Sequence, residues 1–358
     1  MAFTLALQAS GTEGEGAPPQ RGKALGAALV GAVAQQLDSA IEQIERTAAP
    51  NSSDKEAAVA VHEARKALKR TRATLRLLRR SLGQPAWKSE SQRAAAVGRL
   101  LSETREAQVM DQVLRDLARL CRVETPDPSG DKKEAADGAS APTQAPDPTP
   151  PWPPELRAGY ADAVAMAQKV RKERPKVATR PSPELRAQVL DELTTARGRL
   201  DHFRLRGKAK RSLRDGLRRA VRQAQSAWAY AYAYAAGIPS EQSAERFHEL
   251  RKRVKDLYYM ACLLTPAQPA LLEPLAAKLD ELADLLGDDH DLAVLLEQAH
   301  TRPEQFGGTA AVPSLVGLAA AQQQLLQQKA LPLAASLNEL RPRAFARAIV
   351  RGLLPRRT

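Results

Sequence analysis

The chain reads as an all-α protein, on three observations. Leu, Ala, Arg, Glu and Gln dominate, β-branched residues are sparse and aromatics make up only 4%; apolar residues recur at helical spacing; and no strand–helix alternation interrupts them. With 43% of its 358 residues apolar, the chain can bury a substantial core built mainly from Ala and Leu. Ordinary glycine content and two cysteines exclude collagen and disulfide scaffolds. No run of about 20 apolar residues is expected to span a bilayer. Lys and Arg number 54 against 41 acids, a net charge of +13, which favours a polyanionic partner: nucleic acid, a phosphate polymer or anionic lipid.

Residues 1–21 collect Gly, Glu and Pro and read as a disordered tail. Ala24–Ala34 loosely imitates a signal sequence, but it continues through Gln35, Gln36, Leu37, Ile41 and Ile44 at helical spacing. It therefore predicts an amphipathic first helix and a cytoplasmic protein. Residues 22–122 then form a first helical half. Between Val123 and Glu155 lie nine prolines among Gly, Ser, Ala and Asp, the composition of an extended linker over 123–155. Residues 123–156 carry a net charge of −5, which leaves +18 on the remainder. A second helical half occupies 156–358. Cys121 and Cys262, far apart and outside any C-x-x-C pair, read as small buried side chains in a reducing compartment.

The two halves share a motif. Val61-His62-Glu63-Ala64-Arg65-Lys66-Ala67-Leu68-Lys69-Arg70 is repeated as Phe247-His248-Glu249-Leu250-Arg251-Lys252-Arg253-Val254-Lys255-Asp256. Leu100-Leu101-Ser102-Glu103-Thr104-Arg105-Glu106 is echoed by Leu285-Leu286-Gly287-Asp288-Asp289-His290-Asp291, about forty residues after the histidine in each half. At about 100° per residue, His62, Arg65, Lys66, Lys69, Arg72, Arg76 and Arg80 fall within roughly 120° on one face. Ala64, Leu68, Thr71, Leu75 and Leu78 lie opposite. The stripe is about 27 Å long, and its like charges at i, i+3 and i, i+4 repel by a few tenths of a kcal/mol per pair. An anionic ligand is the simpler compensation.

In the second copy His248, Arg251, Lys252, Lys255, Tyr258 and Tyr259 form the equivalent face, backed by Leu250, Val254, Leu257, Ala261 and Leu264. Between Arg197 and Arg222, eleven Arg or Lys stand against two Asp, and Arg211, Arg214, Arg218 and Arg222 share one face. The C-terminal segment adds Arg343, Arg347 and Arg351, with Phe345, Ile349 and Leu353 as its apolar side. It reads as a bundle helix with a basic edge rather than a membrane-surface anchor. If these helices pack through their apolar faces, the basic faces converge and focus positive potential. His62 and His248 stand on the cationic side, where imidazoles beside cations resist protonation and can donate to phosphate oxygens.

The duplicated His-x-x-Arg-Lys-x-x-Lys motif, followed each time by a Leu-Gly-x-x-x-Asp-like element, resembles the CHAD family, conserved-histidine α-helical domains associated with inorganic polyphosphate. His62, Arg65, Lys66 and Lys69 match the first motif; His248, Arg251, Lys252 and Lys255 match the second. The resemblance implies one compact all-α domain made of two pseudo-symmetric four-helix bundles. It also implies a basic surface that binds polyphosphate and brings the protein to polyphosphate granules, without catalysis. Arg105-Glu106 and His290-Asp291 stand where the family shows Arg-Asp, and Ser102 replaces the glycine that Gly287 keeps.

The expected binding residues are thus His62, Arg65, Lys66, Lys69, Arg72, Arg76, Arg105, Arg211, Arg214, Arg218, Arg222, His248, Arg251, Lys252, Lys255 and Tyr258, with no catalytic residue, metal or cofactor. A metal-dependent phosphohydrolase using Asp288, Asp289, His290 and Asp291, with His248, is a weaker alternative, because consecutive helical residues point in different directions. Asp288 or Asp289 reads more simply as the cap of a helix that begins after Gly287. Nucleic acid is the serious rival for the basic faces. Trp228, Tyr230, Tyr232 and Tyr234, spaced by two, suit helix packing better than a base ladder, so the expected nucleic-acid binding is weak and non-specific. Stable membrane insertion is not expected, and oligomeric state leaves no trace in the sequence.

Overall fold

The computed structural model describes residues 21–49, 53–121, 154–173, 180–235 and 243–353, and among these it is helical without strands. Helices α1 (Arg21–Arg46), α2 (Asp54–Leu82), α3 (Gln84–Leu100) and α4 (Glu103–Cys121) come from the first half. They are followed by α5 (Pro154–Glu173), α6 (Pro183–Arg199), α7 (Ala209–Ala235), α8 (Ser243–Leu264), α9 (Pro269–Thr301), α10 (Gly308–Ala335) and α11 (Pro342–Gly352). The expected tail and linker lie outside the described residues, except that Arg21 opens α1 and Pro154 and Glu155 open α5.

Local chemistry sets the ends of α2. Ser53 caps its N-terminus in a reciprocal box with Glu56, whose carboxylate accepts from the Ser53 backbone N–H at 2.7 Å. Gly83, at φ 84°, ends the helix in a conformation open to glycine, and its N–H closes on the Arg79 carbonyl. Pro85 then stands near the start of α3, where no helical N–H is lost. Ser182 caps α6 in the same way, accepting from the Leu185 N–H at 3.2 Å.

The chain gathers into two compact units whose boundaries do not follow the linker. The first holds the described residues up to Gln108, from Arg180 to Asp291 and from Gln323 onward. The second holds those from Val109 to Glu173 and Leu292–Gln322. Both motif helices, α2 and α8, therefore belong to the first unit, whereas division at the linker assigns them to separate halves. In the second unit, Arg171 pairs with Asp111 at 2.7 Å and Gln168 donates to the Leu114 carbonyl at 3.1 Å, tying α5 to α4.

Within the first unit α2 is the central helix, packed on α1, α3, α7 and α8. The face expected to be apolar, Ala64, Leu68, Thr71, Leu75 and Leu78, is buried, and so is Leu250, Val254, Leu257, Ala261 and Leu264 on α8. One sequence expectation needs correction: Ala24–Arg46 is long and apolar enough, by length and composition, to cross a bilayer. Here its Leu25, Leu29, Val33, Leu37, Ala40 and Ile44 are buried in the core, while Gln35, Asp38, Glu42 and Glu45 are exposed. That is the division of an amphipathic core helix. In α11, Phe345 and Ile349 are buried and Arg343, Arg347 and Arg351 exposed, as its pattern predicts. Cys121 is buried and Cys262 half-buried, both as free thiols.

At the α2–α7 crossing the backbones come close enough to require a glycine. A Cβ on Gly216 would stand 2.9 Å from the Leu77 Cα, and beside it the Ser212 hydroxyl donates to the Leu77 carbonyl at 2.8 Å. Gly98, by contrast, sits in α3 with open space around it. Gly216→Val is expected to lower stability by about 1–3 kcal/mol through overpacking, and Gly98→Ala to raise it by about 0.5–1 kcal/mol. Thermal unfolding of the two variants, which should move in opposite directions, tests this.

Candidate functional site

The α2–α8 packing brings the two motif copies together. Lys69 of the first lies in the field of Arg65 on its own helix and of Arg251 and Lys255 on α8. Crowding against these neighbours dehydrates its ammonium and, with the repulsion of Arg251, Arg65 and Lys255, pushes its pKa down to about 8, Asp291 opposing. The side chain nonetheless keeps an exposed surface, so a ligand can reach it. Lys255 approaches Asp284 at 3.6 Å.

Each motif arginine docks on the downstream element of its own copy. Arg65 donates from Nη1 to the Leu101 carbonyl at 3.1 Å. Arg251 lies over Gly287, where a Cβ would stand 3.5 Å from its Nη2. Its buried Nε has no hydrogen-bond partner among the described residues.

His248 and His290 meet edge to face, ring centroids 4.5 Å apart. Burial, then His290, Lys252 and Arg251, push His248 down to about 4, with Glu249 opposing. Burial, then Arg251, lower His290 as well; Asp291 opposes from 3.8 Å, beyond hydrogen-bond reach. His248 is therefore a neutral imidazole at pH 7, a directional hydrogen-bonding group rather than a cation. His62 is half-buried on α2.

The expected helix break at Gly287 does not occur. Helix α9 runs unbroken from Pro269 to Thr301, so neither Asp288 nor Asp289 is a cap. Glycine in a helix costs about 1 kcal/mol, which burial of the flanking Leu286 and Leu292 outweighs. Asp289 is instead a buried mid-helix carboxyl, 2% exposed, accepting from Gln327 Nε2 at 2.7 Å. Burial pushes it up to about 6, with Gln327, Gln323 and Arg251 opposing. Among the described residues no three His, Cys, Asp or Glu are grouped to hold a metal ion.

Toward the C-terminal end of α2 the stripe changes character. Arg76 pairs with Asp256 of α8 at 2.7 Å and Arg80 with Asp215 of α7. Asp215 also faces Arg218 at 3.7 Å, and Glu249 bridges Lys252 and Arg253, each at 2.6 Å. Lys66 pairs with Glu63 at 3.5 Å. Protein carboxylates, rather than a ligand alone, thus answer part of the repulsion along the stripe. Arg72 keeps a buried Nε without a hydrogen-bond partner among the described residues.

Arg211, Arg214 and Arg222 are exposed on α7, and Arg218 is half-buried. Tyr258 turns toward Cys262 and Asp280; burial and these two neighbours raise its hydroxyl well above the usual phenol range. Arg105 lies in α4, its side chain outside the described residues. Three arginines not singled out by the sequence join these groups: Arg79, stacked 4.3 Å over Trp87, and Arg219 and Arg253, which line one concavity with Arg218 and Arg222. Arg79 and Arg253 lie off the histidine-led faces and Arg219 lies off the face of Arg211, Arg214, Arg218 and Arg222, so local density of arginine is the signal that marks them.

Two predictions follow from these charge states. Lys69 is protonated below about 8, so affinity for a multivalent phosphate anion should be greatest below that pH and fall between pH 7 and 9; Lys69→Arg, which keeps its charge, should flatten that decline. Asp289, raised from 3.8 to about 6 in the fold, loses its proton more readily when unfolded, so it should lower stability as pH rises through that interval. Asp289→Asn, which retains an acceptor for Gln327, should remove this contribution, as thermal melts from pH 4 to 7 will report.

Comparison with curated proteins finds no match to the chain. A family model, the CHAD domain, matches residues 32–300, from α1 to the last turn of α9, and spans both copies of the motif with the cationic cluster between them. This match covers well over half of the sequence, and the chain belongs to the CHAD domain family.

Proposed function

We propose that this protein is a non-catalytic binder of inorganic polyphosphate, cytoplasmic and associated with polyphosphate granules. The observation that carries the reading is the meeting of Lys69 and Arg65 with Arg251 and Lys255 in one cationic cluster. Lys69 is held partly dehydrated and below its usual pKa yet still protonated at neutral pH, so an anion there meets a charged partner that has already lost part of its hydration. Polyphosphate is a bare chain of closely spaced anions, which a narrow cluster can grip at successive phosphates without accommodating sugars or bases. Arg72, whose buried Nε has no hydrogen-bond partner among the described residues, extends the cluster along α2. Neutral His248 supplies direction to hydrogen bonds rather than charge.

The test is a titration of long-chain polyphosphate against single- and double-stranded DNA of matched charge at two salt concentrations, with product analysis after incubation with Mg²⁺ or Mn²⁺. Tight, salt-resistant preference for intact polyphosphate is expected. Equal affinities that collapse together with salt would indicate generic polyelectrolyte attraction, and metal-dependent shortening of the chain would overturn the non-catalytic reading. Replacing Arg65, Lys66, Lys69, Arg251, Lys252 and Lys255 by Ala should cost about 0.5–1 kcal/mol per cation, a combined loss of about a hundredfold or more, with helix content nearly unchanged by circular dichroism. Retention of full affinity would remove these residues from the site.

A further inference from the structure

We infer that the concavity between α7 and α8 binds a nucleotide, its phosphates held by Arg219 and Arg222 and its base laid on Tyr230; this goes beyond the polyphosphate reading and does not depend on the cluster around Lys69. The concavity measures about 480 Å³, within the size range of small-molecule sites. Four arginines, Arg218, Arg219, Arg222 and Arg253, line it together with Asp215 and Glu249. The two carboxylates are already shared, Asp215 between Arg80 and Arg218 and Glu249 between Lys252 and Arg253. Asp215 acts on Arg219 through space but pairs with Arg80 and Arg218, and four arginines face two carboxylates, so the site carries a surplus of planar, forked donors suited to phosphate oxygens.

What separates this site from a plain anion patch is Tyr230. It lines the same concavity and is 66% exposed, a large aromatic left open to solvent. The neighbouring aromatics are engaged: Trp228 stacks on Tyr232 at 5.3 Å, and the ring of Trp87 carries Arg79. Tyr230 stands eight residues beyond Arg222, a rise of about 12 Å along α7, the reach of an extended nucleoside triphosphate from base to terminal phosphates. Gln223 and Ser226, on the wall between them, offer an amide and a hydroxyl to the sugar or base edge. Polyphosphate has no group for an aromatic face, and one platform receives one base, whereas single-stranded nucleic acid calls for a series of them.

Calorimetric titration of the full chain with ATP and with tripolyphosphate tests the assignment. ATP should bind about tenfold more tightly than tripolyphosphate, the gain of one stacked base. Tyr230→Ala should bring ATP down to the tripolyphosphate level without changing tripolyphosphate, Tyr230→Phe should preserve the preference, and Arg222→Ala should weaken both ligands. No preference for ATP in the wild-type protein, or a preference that survives Tyr230→Ala, would overturn the inference. Long-chain polyphosphate titrated in parallel separates the two readings: Tyr230→Ala should leave it unchanged, and Ala in place of Lys69 and Lys255 should weaken it while sparing the ATP preference.

Discussion

The cationic cluster around Lys69 exists because apolar burial behind it is stronger than the repulsion within it. Two like charges about 8 Å apart at an effective dielectric near 20 repel by about 2 kcal/mol, and Lys69 faces Arg65, Arg251 and Lys255 together. Full burial of one Leu or Val contributes about 1.5–3 kcal/mol, and Leu68, Leu75, Leu250, Val254 and Leu257 are all at most 2% exposed. Packing therefore holds α2 against α8 with charge to spare, and the Lys69 pKa is lowered first by burial and then by the repulsion of Arg251, Arg65 and Lys255.

Along α2 that surplus is graded. Near Arg76 and Arg80 the repulsion is answered by Asp256 and Asp215, reached from α8 and α7. Around Lys69 the carboxylates stand farther off, Asp284 at 3.6 Å from Lys255 and Asp291 opposing through space. On α2 the cross-helix ion pairs thus gather toward the C-terminal end, while Lys66, nearer Lys69, pairs with Glu63 of its own helix. The close backbone crossing at Gly216, locked by Ser212, holds α7 against α2 where Arg80 and Asp215 meet.

The histidines complete the arrangement by staying out of the charge balance. Burial, and after it His290 packed edge to face, Lys252 and Arg251, keep His248 neutral across the physiological range. A charged imidazole there would add to the repulsion, whereas a neutral one offers a donor or acceptor beside the cations. Asp289, buried and bonded to Gln327, sits next to this pair without joining it as a cap.

The all-α class, the helical identity of the motif segments, the apolar faces of α2 and α8 and the family resemblance were legible in the residues alone, because helical periodicity and the repeated motif are local features of the chain. The cationic faces were legible for the same reason. Their compensation was not: Asp256 lies 180 residues from Arg76 and Asp215 lies 135 from Arg80, and nothing along a helix announces a partner from another one. Gly287 misled because its local preference is for a break, whereas tertiary burial of Leu286 and Leu292 carries α9 through it. Which helices gather into each compact unit also lay beyond sequence reading, since that depends on contacts between segments remote in the chain. Sequence alone decided which side chains share a helix face, a matter of 100° per residue; tertiary packing decided which of those faces meet and which charges are neutralised, because those depend on distances between residues remote in the chain.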